Sequence, residues 1–206
     1  MKTITDLKPQ IKNGKRVSVY LNGSYYCGLD IITVMKNRIK VGDEIEESKL
    51  VEIQREAEAG ACFESALKYI SKSVKTEKQV KIKLLEKGYL EEIVLETLEK
   101  LKDYKFIDDK DYSERYVSTY KNNKGKKLIE LELKNKGISK NDIYESLELV
   151  ENELETAIKI AEKYVKNKEK DAQTLQKCYK YLISKGFNYE DSLTASKKAI
   201  NSDEKF

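Results

Sequence analysis

Histidine and tryptophan are absent from this 206-residue chain, and proline occurs once. Without histidine, the commonest general base and the commonest metal ligand are missing. There is no glycine-rich phosphate loop, and no serine or cysteine has a base partner in view. A catalytic site would have to rest on Asp, Glu, Lys and Tyr, and nothing convergent marks one. The chain is therefore expected to be no enzyme, with no catalytic residues, no metal and no cofactor. Cys27, Cys62 and Cys178 are odd in number and scattered. They read as reduced, partly buried thiols, with no disulfide framework. Apolar residues never run long enough to cross a membrane, and the N-terminus lacks the apolar core of a signal peptide. A cytoplasmic protein is expected.

What is present is charge. Charged residues make up 37% and hydrophobic ones 39%, with only nine glycines. That is the balance of a long-helix protein with a thin core. The net charge is only +4, but it is unevenly placed. Residues 43–58 are mainly acidic, and residues 68–87 and 121–127 mainly basic. Such unevenness suits a partner with a strong field.

The organising feature is a repeat. Gly88, Gly137 and Gly186 stand 49 residues apart (137 minus 88, 186 minus 137), each preceded by lysine and followed by an apolar residue. Val80, Ile129 and Cys178 keep the same register, as do Leu84, Leu133 and Leu182. Members of each pair are four apart, on one helix face. Each glycine is expected to end a helix in the left-handed conformation, its following apolar residue packing back on the last turn. The lysine before it suits the negative end of the helix dipole. A fixed period of this size predicts tandem three-helix units in an elongated, curved stack.

Ahead of the repeats, Val17, Val19 and Leu21 alternate with polar residues, and Asn22-Gly23 then leads into Ser24-Tyr25-Tyr26-Cys27. This predicts a hairpin with a type I′ turn, Leu21 facing Ser24, Tyr20 facing Tyr25 and Val19 facing Tyr26. The tyrosines are able to stack on bases, but cross-strand packing is their commoner use. Ile4 to Leu7 adds a third strand, which Pro9 confines to an edge. A short helix and a turn at Lys40-Val41-Gly42-Asp43 follow. Ser48 reads as an N-cap, and Gly60 as a break between two helices. Thr76 and Gln79 form a capping box. Tyr112, Tyr116 and Tyr120 make an aromatic stripe whose ordinary reading is packing between units. The expected fold is mainly α. A small antiparallel sheet or hairpin extension covers residues 1–47 and a linker helix 48–61. Three-helix units cover 62–107, 108–152 and 153–206, with the tail from residue 202 expected to fray.

These residues resemble the RecX family of bacterial recombination regulators. The similarity is carried by Thr76-Glu77-Lys78-Gln79-Val80, Leu84-Leu85-Glu86-Lys87-Gly88-Tyr89 and Phe106-Ile107-Asp108-Asp109-Lys110-Asp111-Tyr112, and then by Lys124-Gly125 and Leu131-Glu132-Leu133-Lys134-Asn135-Lys136-Gly137-Ile138. The Asn22-Gly23 hairpin resembles the N-terminal extension of longer members from low-GC Gram-positive bacteria. Where the family often has arginine, around Lys72 to Lys78 and at Lys126 and Lys127, this chain has lysine. Charge is kept there, but the bidentate fork is lost. The resemblance implies a non-enzymatic monomer that lies along the RecA–single-stranded DNA filament. There it would restrain recombinase, ATPase and co-protease activity, and with them the SOS response.

The basic connections then become candidate contacts: Lys72, Lys75, Lys78, Lys121, Lys124, Lys126 and Lys127, toward DNA phosphates or acidic filament surface. The ordinary fate of any one lysine is a solvated face. Two alternatives stay open. One is a stand-alone binder of single- or double-stranded nucleic acid, since basic three-helix units resemble helix-turn-helix readers. The other is an interaction scaffold whose charges serve solubility.

Overall fold

In a computed structural model, residues 1–10 and 13–201 are described. The tail from residue 202, expected to fray, lies outside them. The chain folds as two compact units, one of residues 1–73 and 80–103, the other of residues 74–79 and 104 onward.

The first unit opens with β1 (Lys2–Gln10), β2 (Asn13–Leu21) and β3 (Ser24–Asp30), paired antiparallel. A two-residue β4 (Glu44–Ile45) adds to β1, giving the order β3-β2-β1-β4. Asn22 and Gly23 have φ of 47° and 85°, the left-handed pair a type I′ turn requires. Leu21 faces Ser24 and Tyr20 faces Tyr25, but a bulge follows, so that Val19 opposes Cys27 instead of Tyr26. The cause is burial. Opposed residues share a face, so the unbulged register would turn Cys27 and Leu29 away from Val17 and Val19. With the bulge, Val17, Val19, Leu21, Cys27 and Leu29 are all buried. Pro9 sits opposite Val17, beyond β4, which covers only Lys2 and Thr3. There β1 is still an outer strand, as a residue without an N–H needs.

Helix α1 (Ile31–Lys36) is capped by Asp30, which accepts the Thr33 N–H at 2.7 Å. Helix α2 then runs unbroken over Glu47–Ile70. Gly60 does not divide it, and Ser48 lies inside it; Glu46, the actual N-cap, makes no side-chain cap bond. A helical glycine costs only about 1 kcal/mol. Burial on both sides of Gly60 outweighs that. Leu50 and Ile53 pack with Ile4, Val19 and Leu29 under the sheet, while Cys62 and Ala66 are buried farther along. The expected linker helix and the first helix of the first repeat are thus continuous. Helices α3 (Glu77–Glu86) and α4 (Glu91–Asp103) follow, burying Val80, Leu84, Val94, Leu98 and Leu101.

The second unit contains α5 (Asp109–Tyr120), α6 (Lys126–Asn135) and α7 (Lys140–Leu147), then α8 (Glu153–Val165), α9 (Ala172–Ser184) and α10 (Tyr189–Asn201). One core gathers Val117, Ile129, Leu133, Ile138 and Ile143. The other gathers Ala157, Ala161, Cys178, Leu182 and Phe187.

Gly88, Gly137 and Gly186 take φ of 86°, 92° and 89°. Behind each, the next residue donates to the carbonyl five before it: Tyr89 to Leu84, Ile138 to Leu133, Phe187 to Leu182. Each glycine N–H closes the inner bond, to Leu85, Lys134 or Ile183. This is a Schellman closure, three times over.

Inside the second unit these turns are also joints. At the start of α3 the capping box forms, Thr76 N–H to Gln79 Oε1 at 3.1 Å and Gln79 N–H to Thr76 Oγ1 at 3.3 Å. The Thr76 hydroxyl then donates to the Lys136 carbonyl at 2.7 Å, in the Gly137 turn. At the start of α6, Gly125 N–H donates to the Lys185 carbonyl at 2.9 Å and Lys127 N–H to Gly186 at 3.2 Å. Thr76 and Gly125 are 49 apart, as are Lys136 and Lys185, so the same joint recurs. A carboxylate completes each one. Asp109 accepts the Glu77 N–H and Glu153 the Lys126 N–H, both at 2.9 Å. The adjacent aspartates therefore divide the labour, Asp108 capping α5 through the Asp111 N–H and Asp109 serving α3.

Candidate nucleic-acid interface

The seven lysines do not share one presentation. Lys72 is exposed in the first unit, after α2; the other six belong to the second. Lys75 is half-buried. Lys78 is exposed, and its ammonium donates to the Asn135 carbonyl at 3.2 Å. Lys121 is half-buried and reaches the Leu149 carbonyl at 3.2 Å, beside Asn152, Glu155 and Lys159. Lys126 is half-buried, its N–H held by Glu153. Lys127 is exposed and lies 4.9 Å over the Tyr189 ring.

Lys124 is turned inward. The backbone curls after α5, Asn123 and Lys124 N–H both donating to Tyr120, and the side chain meets both Glu132 oxygens at 2.7 Å. Its ammonium also sits 4.1 Å from the Tyr120 ring centroid. Tyr116 donates its hydroxyl to the same carboxylate at 2.7 Å. Burial opposes the charge on Glu132, but the hydrogen bonds from Lys124 and Tyr116 outweigh it and hold its pKa below the usual value. The same burial, with the carboxylate beside it, drives the Tyr116 phenol well above its ordinary range. Lys124 is thus a partner within the fold first and a candidate contact second. The stretch 121–127 is basic in sequence, yet its side chains diverge.

The aromatic stripe, expected to serve packing between units, instead packs within its own repeat and leaves a surface open. Tyr112, Tyr116 and Tyr120 pack against the core of their own repeat and form a ladder, centroids 6.1 and 4.5 Å apart. Beside it runs an open groove of about 370 Å³, lined also by Val74, Arg115, Thr119 and Lys136. Lys136 lies over Tyr112 and Tyr116 at 5.7 and 5.5 Å. Arg115 is paired with Asp111 at 2.8 Å. The third repeat also gathers tyrosines and lysines, but across two helices, with Lys168 over Tyr164 of α8 at 3.1 Å, Lys185 over Tyr181 of α9 at 5.4 Å, and Tyr164 stacked on Tyr181 at 4.7 Å. The available signal was tyrosine at i, i+4 and i+8 combined with the lysine that precedes each repeat glycine.

No cluster of three or more potential metal ligands occurs among the described residues. Their cysteines are free and buried. No described helix is long and apolar enough to cross a membrane.

Comparison with known proteins accounts for nearly the whole chain. Residues 2–46 match the family described as regulatory protein RecX N-terminal domain. Residues 62–101, 108–147 and 151–194 match the first, second and third three-helix domains of RecX. The regulatory protein RecX of Clostridium botulinum (strain Alaska E43) is 37% identical, with 98% of each chain covered. That of Clostridium tetani is 36% identical, covering 97% of this chain and 95% of the relative. Among solved structures, one of regulatory protein RecX superposes with a TM-score of 0.70 at 28% identity, over 96% of this chain and 100% of that one. RecX from Lactobacillus salivarius gives 0.63 at 32% identity, over 69% and 96%.

Proposed function

This chain belongs to the RecX family of regulatory proteins, and from that premise we propose that it binds the RecA–single-stranded DNA filament and mainly inhibits it. The observation that carries the proposal is the family match over all four segments, sheet and repeats alike. The repeated joint supports it. Lys78 and Lys127 stand at equivalent places, each just inside a helix start that abuts the next glycine turn. A partner whose binding sites recur is matched by a protein whose cations recur, each weak contact raising the effective concentration of the next. The protein works without catalysis, as a cytoplasmic monomer, and limits ATP hydrolysis, strand exchange and co-protease activity.

The test is RecA-dependent ATP hydrolysis on single-stranded DNA with and without the chain. Hydrolysis should fall as the protein is titrated in, and an undiminished rate at molar excess over RecA would reject the reading. A second reading, binding of nucleic acid with no recombinase, is favoured by the tyrosine–lysine groove. Titration against bare and RecA-coated strands separates the two, because bare-strand binding is steeply salt-dependent and indifferent to RecA.

A further inference from the structure

We propose that the tyrosine groove of the second unit is a binding site for single-stranded nucleic acid, with bases on the Tyr112–Tyr116–Tyr120 ladder and a backbone phosphate on Lys136. This deepens the filament reading by supplying its DNA contact, yet it is tested on bare strands.

Three observations converge. The first is the ladder: three half-buried rings on successive turns of α5 line an open groove instead of being sealed in the core. Base-on-ring stacking needs such a row and tolerates any base. The second is the pattern of charge. Arg115 and Lys124 are occupied by Asp111 and Glu132, whereas Lys136 acts on Glu132 through its charge alone, with no hydrogen bond to it. It lies over two rings at 5.5 and 5.7 Å, near the outer limit of a cation–π contact, so a small movement frees both ring face and ammonium. The third is repetition, for Tyr164, Tyr181, Lys168 and Lys185 build a second platform within the same unit. An acidic peptide would use Lys136 and leave the rings idle. A nucleic-acid strand offers both an anion and a ring at every residue.

The experiment is fluorescence anisotropy of a labelled oligothymidylate, about 20 nucleotides, with the full chain at low salt. Tyr112→Phe keeps the ring and should bind like the parent. Tyr112→Leu should weaken binding between about 5- and 140-fold, the range expected for one stacked base. Lys136→Gln should weaken it and reduce the log–log salt slope by about one; its change is confined to the end of a surface side chain and keeps the test open if Tyr112→Leu unfolds. The chain has no tryptophan, so stacking is also read as quenching of tyrosine emission by the unlabelled oligomer. Failure to bind overturns the proposal, as does equal competition by polyglutamate of the same charge, or parent-like binding by Tyr112→Leu. RecA inhibition by a chain that ignores bare strands would retire this site and leave the filament reading standing. Bare-strand binding that follows these variants, with RecA hydrolysis untouched, would do the reverse.

Discussion

The repeat glycines look alike in sequence and should respond differently to alanine. At Gly88, φ is +86° and an added Cβ would meet nothing within 4 Å. Gly88→Ala should therefore cost only the left-handed penalty, about 1–2 kcal/mol. At Gly186, φ is +89° and the same Cβ would overlap the backbone nitrogen and Cβ of Leu128, in the first turn of α6. Backbone cannot swing aside as a side-chain tip can. Relief requires the turn and the helix start to separate, at the expense of the Gly125-to-Lys185 and Lys127-to-Gly186 bonds. Each is worth about 1 kcal/mol net. Gly186→Ala should thus exceed Gly88→Ala by about 2 kcal/mol, roughly a 30-fold loss in the folding constant. Gly137→Ala should also exceed Gly88→Ala, because its nearest obstacle is the Lys78 Cβ, which is fixed to the first turn of α3 and cannot swing aside. Repeats can open separately, so protection should be followed by amide hydrogen exchange under mild denaturant, repeat by repeat. Equal losses for Gly88→Ala and Gly186→Ala would refute the joint as the source of the difference.

Three further outcomes follow from the same contacts. Lys127→Glu should weaken RecA inhibition at unchanged helix content, whereas Lys124→Glu sets a carboxylate against Glu132 and should cost about 1–3 kcal/mol in urea unfolding; equal stability of the two variants would contradict the inward placement of Lys124. Burial, helped by neighbouring acids, raises the pKa of Asp109 above its ordinary 3.8 and that of Glu153 above 4.5. The fold therefore favours their neutral forms, which oppose unfolding more as pH falls through the raised values toward the ordinary ones; Asp109→Asn and Glu153→Gln should match or exceed the parent at pH 7, with the gap closing below about pH 4. Loss of stability at pH 7 in both would reverse that sign. Thr76→Ala removes the cap and the bond to Lys136 and should cost about 1–2 kcal/mol, and calorimetry of Thr76→Ser, which keeps both bonds, should show little change.

The helical units were legible from residues alone, because their determinants are local. A helix face needs a four-residue spacing, a left-handed stop needs glycine, and a type I′ turn needs Asn-Gly; each is satisfied within a few residues of chain. The family followed from the same motifs. The site was less legible. Seven lysines could be named, but not their directions, since a lysine goes wherever carboxylates, carbonyls and rings await it, and for Lys124 these are Glu132 and Tyr120. The bulge at Tyr26, the continuity of α2 through Gly60 and the tyrosine groove share this character. Each was decided by what lay across the fold: a buried face to be matched, buried positions to be served on both sides of Gly60, and packing that leaves the tyrosine rings lining a groove. Local backbone preference is written along the chain, while the partner of a long side chain is chosen only when distant segments meet.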